Sequence, residues 1–193
     1  MAEQPLHAIA GCHRPGLYHG MTRRHDAIRD VLVFHLRQNA DTTKEPRFQS
    51  AANLQLPESQ RQRADILVID RSSARHVLLD VAIVCPSTHT MVSTNHTDKI
   101  QGVAARKKYG EKIRKSRRHF RDDTREFIPF IIESGGYIDE KAIKFLESIF
   151  GTRSQSGLQK IHNTIVAIQN TLFSNNARLF SKVNGALNIS GSS

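Results

Sequence analysis

Tryptophan is absent from this 193-residue chain, cysteine occurs only twice, and aromatic residues supply just 6% of positions. A core must therefore be built from aliphatic side chains and a handful of phenylalanines. Cys12 and Cys85 stand far apart, and the N-terminal residues lack the apolar centre of a secretory signal, so no disulfide framework is expected. No apolar run approaches the roughly 18–20 residues that a membrane span needs. Nor does a basic amphipathic anchor accompany Trp or a lipidation signal, which argues against a membrane surface as partner. The protein is expected inside the cell.

What the chain does have is positive charge. Lys and Arg number 28 against 18 Asp and Glu, a formal net charge of +10. Phosphates release counterions when such side chains neutralise them, so a nucleic acid is the first partner to consider. Hydrophobic residues make up 38% and arrive in clusters, enough for one packed domain of about 100–200 residues.

Residues 1–22 read as irregular. The segment 24–38 places Ile28, Val31, Leu32 and His35 at helical spacing behind Asp26 as a cap. Residues 39–63 are polar, contain Pro46 and Pro57, and leave room for a short strand around Arg47 to Ser50. Two β-branched runs, Ala64 to Asp70 and His76 to Val84, flank a turn-like Arg-Ser-Ser-Ala-Arg and predict a hairpin. A basic helix is expected from about Asp98 to Arg118, with Ile100, Val103, Ala104 and Lys107 on one stripe. A strand from Glu126 to Ser134 and a helix from Asp139 to Phe150 follow. Leu158, Ile161, Ile165, Ile168 and Leu172 then alternate by three and four, an amphipathic helix or a heptad seam through which two copies could pair. The order predicts an α/β fold, a small mixed sheet flanked by helices.

A hairpin turning between Ser72 and Ser73 sets Asp65 opposite Asp80. Directly opposed like charges destabilise a sheet unless something lies between them. A divalent cation resolves the conflict, and carboxylate oxygens suit Mg²⁺, which takes one or two protein carboxylates and fills the rest of its shell with water and phosphate oxygens. The alternative is an unequal turn that moves the two acids apart. On the basic helix, Lys107 and Lys108 border the stripe expected to face the sheet, where an amine could orient water or stabilise charge on phosphate. A solvated basic helix is the plainer alternative.

Arg63-Ala64-Asp65-Ile66, Leu79-Asp80-Val81-Ala82 and Lys108-Tyr109 resemble the motifs of PD-(D/E)XK nucleases. More narrowly, they resemble the restriction-enzyme-like endonuclease domain of site-specific non-LTR retrotransposon polyproteins. Arg24-His25-Asp26 is similar to that family's Arg-His-Asp box, His7 with Cys12 to half of its zinc knuckle, and Phe127-Ile128-Pro129-Phe130 with Gly135-Gly136 to the segment after the catalytic helix. The likeness spans about residues 7 to 150.

The resemblance implies a restriction-endonuclease-like core with an added C-terminal helix. It implies that Asp65 and Asp80 bind Mg²⁺ (or Mn²⁺), and that Lys108 or Lys107 replaces the lysine missing from the strand, where Ala82 stands. Ala64 also replaces the family's Pro. Only His7 and Cys12 of the knuckle are present, with His13 or His19 as possible substitutes, so no zinc is expected. The domains expected are a knuckle remnant (1–23), an endonuclease-like domain (24–150), a helical appendage (151–183) and a loose tail (184–193).

The function expected is a metal-dependent DNA endonuclease acting in the nucleus, its nick priming reverse transcription of element RNA. Lys112, Arg114, Lys115, Arg117 and Arg118 are expected on phosphates. His25 is given a structural role, and Asp30 and Glu45 are weighed as extra acids. The rivals are a non-catalytic nucleic-acid-binding remnant and a protein-interaction module using the last helix.

Overall fold

The computed structural model describes residues 15–87, 92, 100–120 and 122–189, with side chains in the parts of these that fall within 18–117 and 122–181. His7, Cys12 and His13 lie outside the described residues.

The sheet has four strands in the order β1 (Ala40–Lys44), β2 (Ile66–Asp70), β3 (His76–Val84) and β4 (Glu126–Glu133). The first three are antiparallel neighbours and β4 runs parallel to β3, so the sheet is mixed and the fold is α/β. The β2–β3 hairpin turns where expected. Asp70 holds the turn by accepting from the Ser72 backbone N–H at 2.9 Å and from the Ser73 hydroxyl at 2.6 Å.

Alternation along the strands assigns two faces. Val77, Leu79 and Val81 of β3, with Ile128, Phe130 and Ile132 of β4, point into the main core. Three helices cover that face: α1 (Pro15–Leu36), α4 (Glu140–Phe150) and α5 (Gln155–Ile189). The opposite face carries Leu78, Ala82 and Val84 with Phe127 and Ile131. There α3 (Val103–Phe120) packs through Ala104 and Ala105, whose small side chains let the helix lie close. The one-turn α2 (Ala51–Leu54), capped by Ser50, sits in the β1–β2 connection.

Several expected boundaries move. The first helix begins at Pro15, where a missing N–H costs nothing in a first turn, and Asp26 lies inside it rather than capping it. The strand expected near Arg47 is instead Ala40–Lys44, and Arg47 makes only an isolated bridge to Arg63. The basic helix starts at Val103, and Ile100, expected on its buried stripe, is 55% exposed.

The last helix is no appendage. It runs to Ile189, through the start of the expected loose tail, and Ile161, Ile168 and Leu172 are buried in the main core against α1 and α4. Gly20 of α1 makes room for Leu179, since a Cβ there would overlap it. Polar ties accompany the packing: Lys160 donates to Asn39 at 2.8 Å, Gln169 to the Gly136 carbonyl at 3.0 Å, and Asn176 accepts from buried Arg24 at 2.8 Å. Most of the stripe is thus filled within the chain, while Leu158 at its start is 47% exposed. Among the described residues no helix is long and apolar enough to cross a membrane.

Ile168→Ala should cost about 2–5 kcal/mol, as for any fully buried isoleucine, measured by urea unfolding. A loss within about 0.5 kcal/mol, the size of a surface substitution, would contradict the placement of α5 in the core.

Candidate active site

The carboxylates gather where β2 leaves β3. Pairing between them runs from Ile69 opposite His76 to Ile66 opposite Leu79 and then stops, while β3 continues beside β4 as far as Val84. The edge of β3 beyond Leu79 therefore has backbone groups in need of partners. Asp65 is the next residue back along the chain. Its backbone N–H donates to the Leu79 carbonyl at 2.9 Å, and its Oδ2 accepts the Val81 N–H at 2.6 Å. One carboxylate oxygen thus does the work of a missing strand.

His25 completes the edge from α1. Its Nε2 lies 3.2 Å from Asp65 Oδ2 and 3.2 Å from the Val81 carbonyl, and its Nδ1 lies 3.3 Å from Asp26 Oδ1. With oxygens at both nitrogens, the doubly protonated ring fits best. The hydrogen bond to Asp65 accordingly raises the His25 pKa, with the Asp65 and Asp26 charges adding to it against the opposing effect of burial.

Asp80 sits on β3 on the face covered by α3. Leu78 and Ala82 share that face, and Pro129 of β4 is its register partner. Its side chain is 17% exposed and that of Asp65 19%, so both charges are largely withdrawn from water. Burial raises the Asp80 pKa above the ordinary carboxylate value. Lys112 opposes the rise, and the charge and hydrogen-bonding carboxyl of Asp65 reinforce it. Burial presses Asp65 the same way, but the His25 bond and charge, the Val81 N–H and the Lys112 charge outweigh it and hold Asp65 below its ordinary value. The environment thus separates two acids of one type, a pattern found where acid–base or metal chemistry is done.

The amine at this pair comes from α3, one turn further along than expected. Lys112 Nζ lies 3.0 Å from Asp80 Oδ1 and 2.8 Å from Oδ2. Lys108 instead pairs with Glu111 at 3.3 Å, though both line the same cleft as Asp80. Lys107 is not among the residues lining it. Ala104 and Ala105 face the sheet, so Lys112, seven residues after Ala105, falls on the near side while Lys107 is rotated away. Buried Glu133 fixes the helix by accepting the Ala105 N–H at 3.1 Å.

The cleft measures about 760 Å³. Besides Asp80 and the two lysines it is lined by Arg114 and Lys115, and by Gln62 and Arg63, which no sequence signal had marked. Arg117 is exposed on α3, and the Arg118 side chain lies outside the described residues. Asp30 pairs with Lys44 at 2.7 Å, and Glu45 with Arg29 at 3.1 Å.

Among the described residues no group of three or more His, Cys, Asp and Glu side chains is arranged to hold a metal ion. Asp65 and Asp80 nevertheless fit a hard divalent cation. Both are oxygen donors, and two carboxylates are as many as Mg²⁺ commonly takes.

The His25–Asp65 pair gives a pH-dependent stability of definite sign. A histidine whose pKa is raised on folding stabilises fully below its unfolded value near 6.5, and that contribution disappears as pH rises through the folded value. The lead of wild type over His25→Gln in urea midpoint should therefore shrink from pH 6 towards alkaline pH. A lead that widens instead would contradict a charged His25.

No protein-family model matches the chain, and a search of curated proteins finds no match either.

Proposed function

We propose that this chain is a metal-dependent DNA endonuclease, the nicking domain of a retroelement polyprotein of the restriction-enzyme-like kind, with Mg²⁺ or Mn²⁺ as cofactor. The observation that carries the reading is the pair Asp65 and Asp80, drawn together at a strand end with the Lys112 amine 2.8 Å from one of them, beside a cleft lined by Arg63, Lys108, Arg114 and Lys115.

Asp65 and Asp80 would hold the cation, which when bound supplies Lewis-acid polarisation of the phosphoryl group and a more acidic water. The remaining chemistry falls to the chain. Lys112, anchored on Asp80, stands where it can orient the attacking water or stabilise charge on the phosphoryl oxygens. His25 keeps Asp65 turned towards Asp80 and ionised. Arg63, Lys108, Arg114 and Lys115 contact backbone phosphates, which position the duplex without reading its sequence. The released 3′ end would prime copying of element RNA.

A second reading rests on the Lys112–Asp80 ion pair itself. An ammonium already neutralises the more buried acid, which suits a nucleic-acid-binding protein that does not cut. One assay separates the two. With Mg²⁺, wild type should nick supercoiled plasmid, Asp65→Ala and Asp80→Ala should abolish nicking, and Lys112→Ala should lower kcat by about 10²–10³-fold, the range of a lost charge-stabilising donor. Lys108→Ala should mainly weaken DNA binding. Equal nicking by wild type and Asp80→Ala would overturn the mechanism, and binding with no nicking would establish the second reading. Under either, Lys115→Ala should reduce the slope of log affinity against log salt by about one.

A further inference from the structure

Glu45 is a non-glycine residue in the left-handed region, at φ 54°, immediately before Pro46. That conformation costs an ordinary L-residue roughly 1–2 kcal/mol, and the following proline ring restricts it further. A glycine would adopt it freely. Something in the surroundings must hold the glutamate there, and such outliers concentrate at functional sites.

The pairing on either side shows what the kink does. Lys44 pairs with Ile66, and the isolated bridge of Arg47 to Arg63 keeps the same register, which sets Glu45 opposite Asp65. The Glu45 N–H donates to the Asp65 carbonyl at 2.9 Å, and the Ala64 N–H to the Pro46 carbonyl at 2.9 Å. Residues 62–64 thus remain paired to the segment after β1 past the end of the β2–β3 pairing. Just beyond Glu45's partner Asp65, which meets Val81, the same segment places Gln62 and Arg63 in the cleft lining. The carboxylate of Glu45 is tied on both sides, to Arg29 of α1 at 3.1 Å and to Arg63 at 3.6 Å.

We infer that Glu45 is a positioning residue for the carboxylate pair: its side chain pins a strained kink that aims Asp65, and with it the strand edge of Val81, towards Asp80. The inference rests on the proposed nuclease reading for its catalytic meaning, but the positioning itself is measurable without catalysis. Glycine relieves the strain and keeps the Glu45 N–H bond, yet removes the tether to Arg29 and Arg63, so the kink is left free to wander. Glutamine keeps an oxygen that accepts from Arg29 and should restore it.

The test is amide hydrogen exchange at Val81 in metal-free protein, alongside urea unfolding, for wild type, Glu45→Gly and Glu45→Gln. In Glu45→Gly the Val81 amide should exchange about tenfold faster, as when one well-made hydrogen bond is loosened, while the unfolding midpoint holds or rises. Glu45→Gln should protect Val81 as wild type does. In the nicking assay Glu45→Gly should lose up to about a hundredfold in kcat, the cost of misplacing a reacting group by about 1 Å, with a smaller change in KM. Unchanged Val81 exchange in Glu45→Gly would overturn the inference, as would a general loss of protection with a lowered midpoint. If wild type does not nick at all, the nuclease reading fails and the Val81 comparison alone decides the role of Glu45.

Discussion

The site depends on a carboxylate standing in for a strand. Where β2 ends, the β3 edge would lose its partners, and unpaired backbone groups at a buried edge cost about 1–3 kcal/mol each. Asp65 meets the Val81 N–H and His25 meets the Val81 carbonyl, so satisfying the edge and gathering the site are the same event. The bond also fixes the carboxylate in direction, because an oxygen accepting from a strand amide at 2.6 Å has little freedom to turn away. Removing Asp65 therefore takes away an acid and a piece of the sheet at once.

Around that bond the charges alternate. His25 lies between Asp65 and Asp26; Arg29 lies within 3.3 Å of Asp26 and 3.1 Å of Glu45; Glu45 reaches Arg63 at the cleft. Individually such half-exposed pairs contribute little. Their value here is geometric, since they run from α1 through the kink after β1 to the cleft lining. Lys112 closes the arrangement from the other face, carried by a helix that approaches closely only because Ala104 and Ala105 have almost no side chain. Two layers packed for different reasons meet at one pair of acids.

The long C-terminal helix has a quieter part. It buries Ile161, Ile168 and Leu172 against the main core and ties α1 through Asn176 and Arg24. Since α1 carries His25, one residue beyond that tie, α5 braces the helix on which the acid's partner is mounted. The geometry at the carboxylate pair thus relies on packing across the face of the sheet opposite α3.

Alternation and turn chemistry in the sequence determined the hairpin, because the Ser72–Ser73 turn and the β-branched runs are local signals. The approach of Asp65 to Asp80 followed from that register. The helix from Asp139 was equally legible, its cap and apolar period lying within a few residues. Other features were decided by tertiary structure. Seven-residue spacing cannot say whether a stripe meets its own chain or another copy, and here Ile161, Ile168 and Leu172 meet the main core. A basic run with Lys or Arg on most faces gives no phase, so only the docking of Ala104 and Ala105 turned Lys107 away, and only position along the helix put Lys112 rather than Lys108 on Asp80. The strain at Glu45 left no mark in composition at all: a glutamate before a proline reads as a loop, and what bends it is contact with arginines distant in sequence.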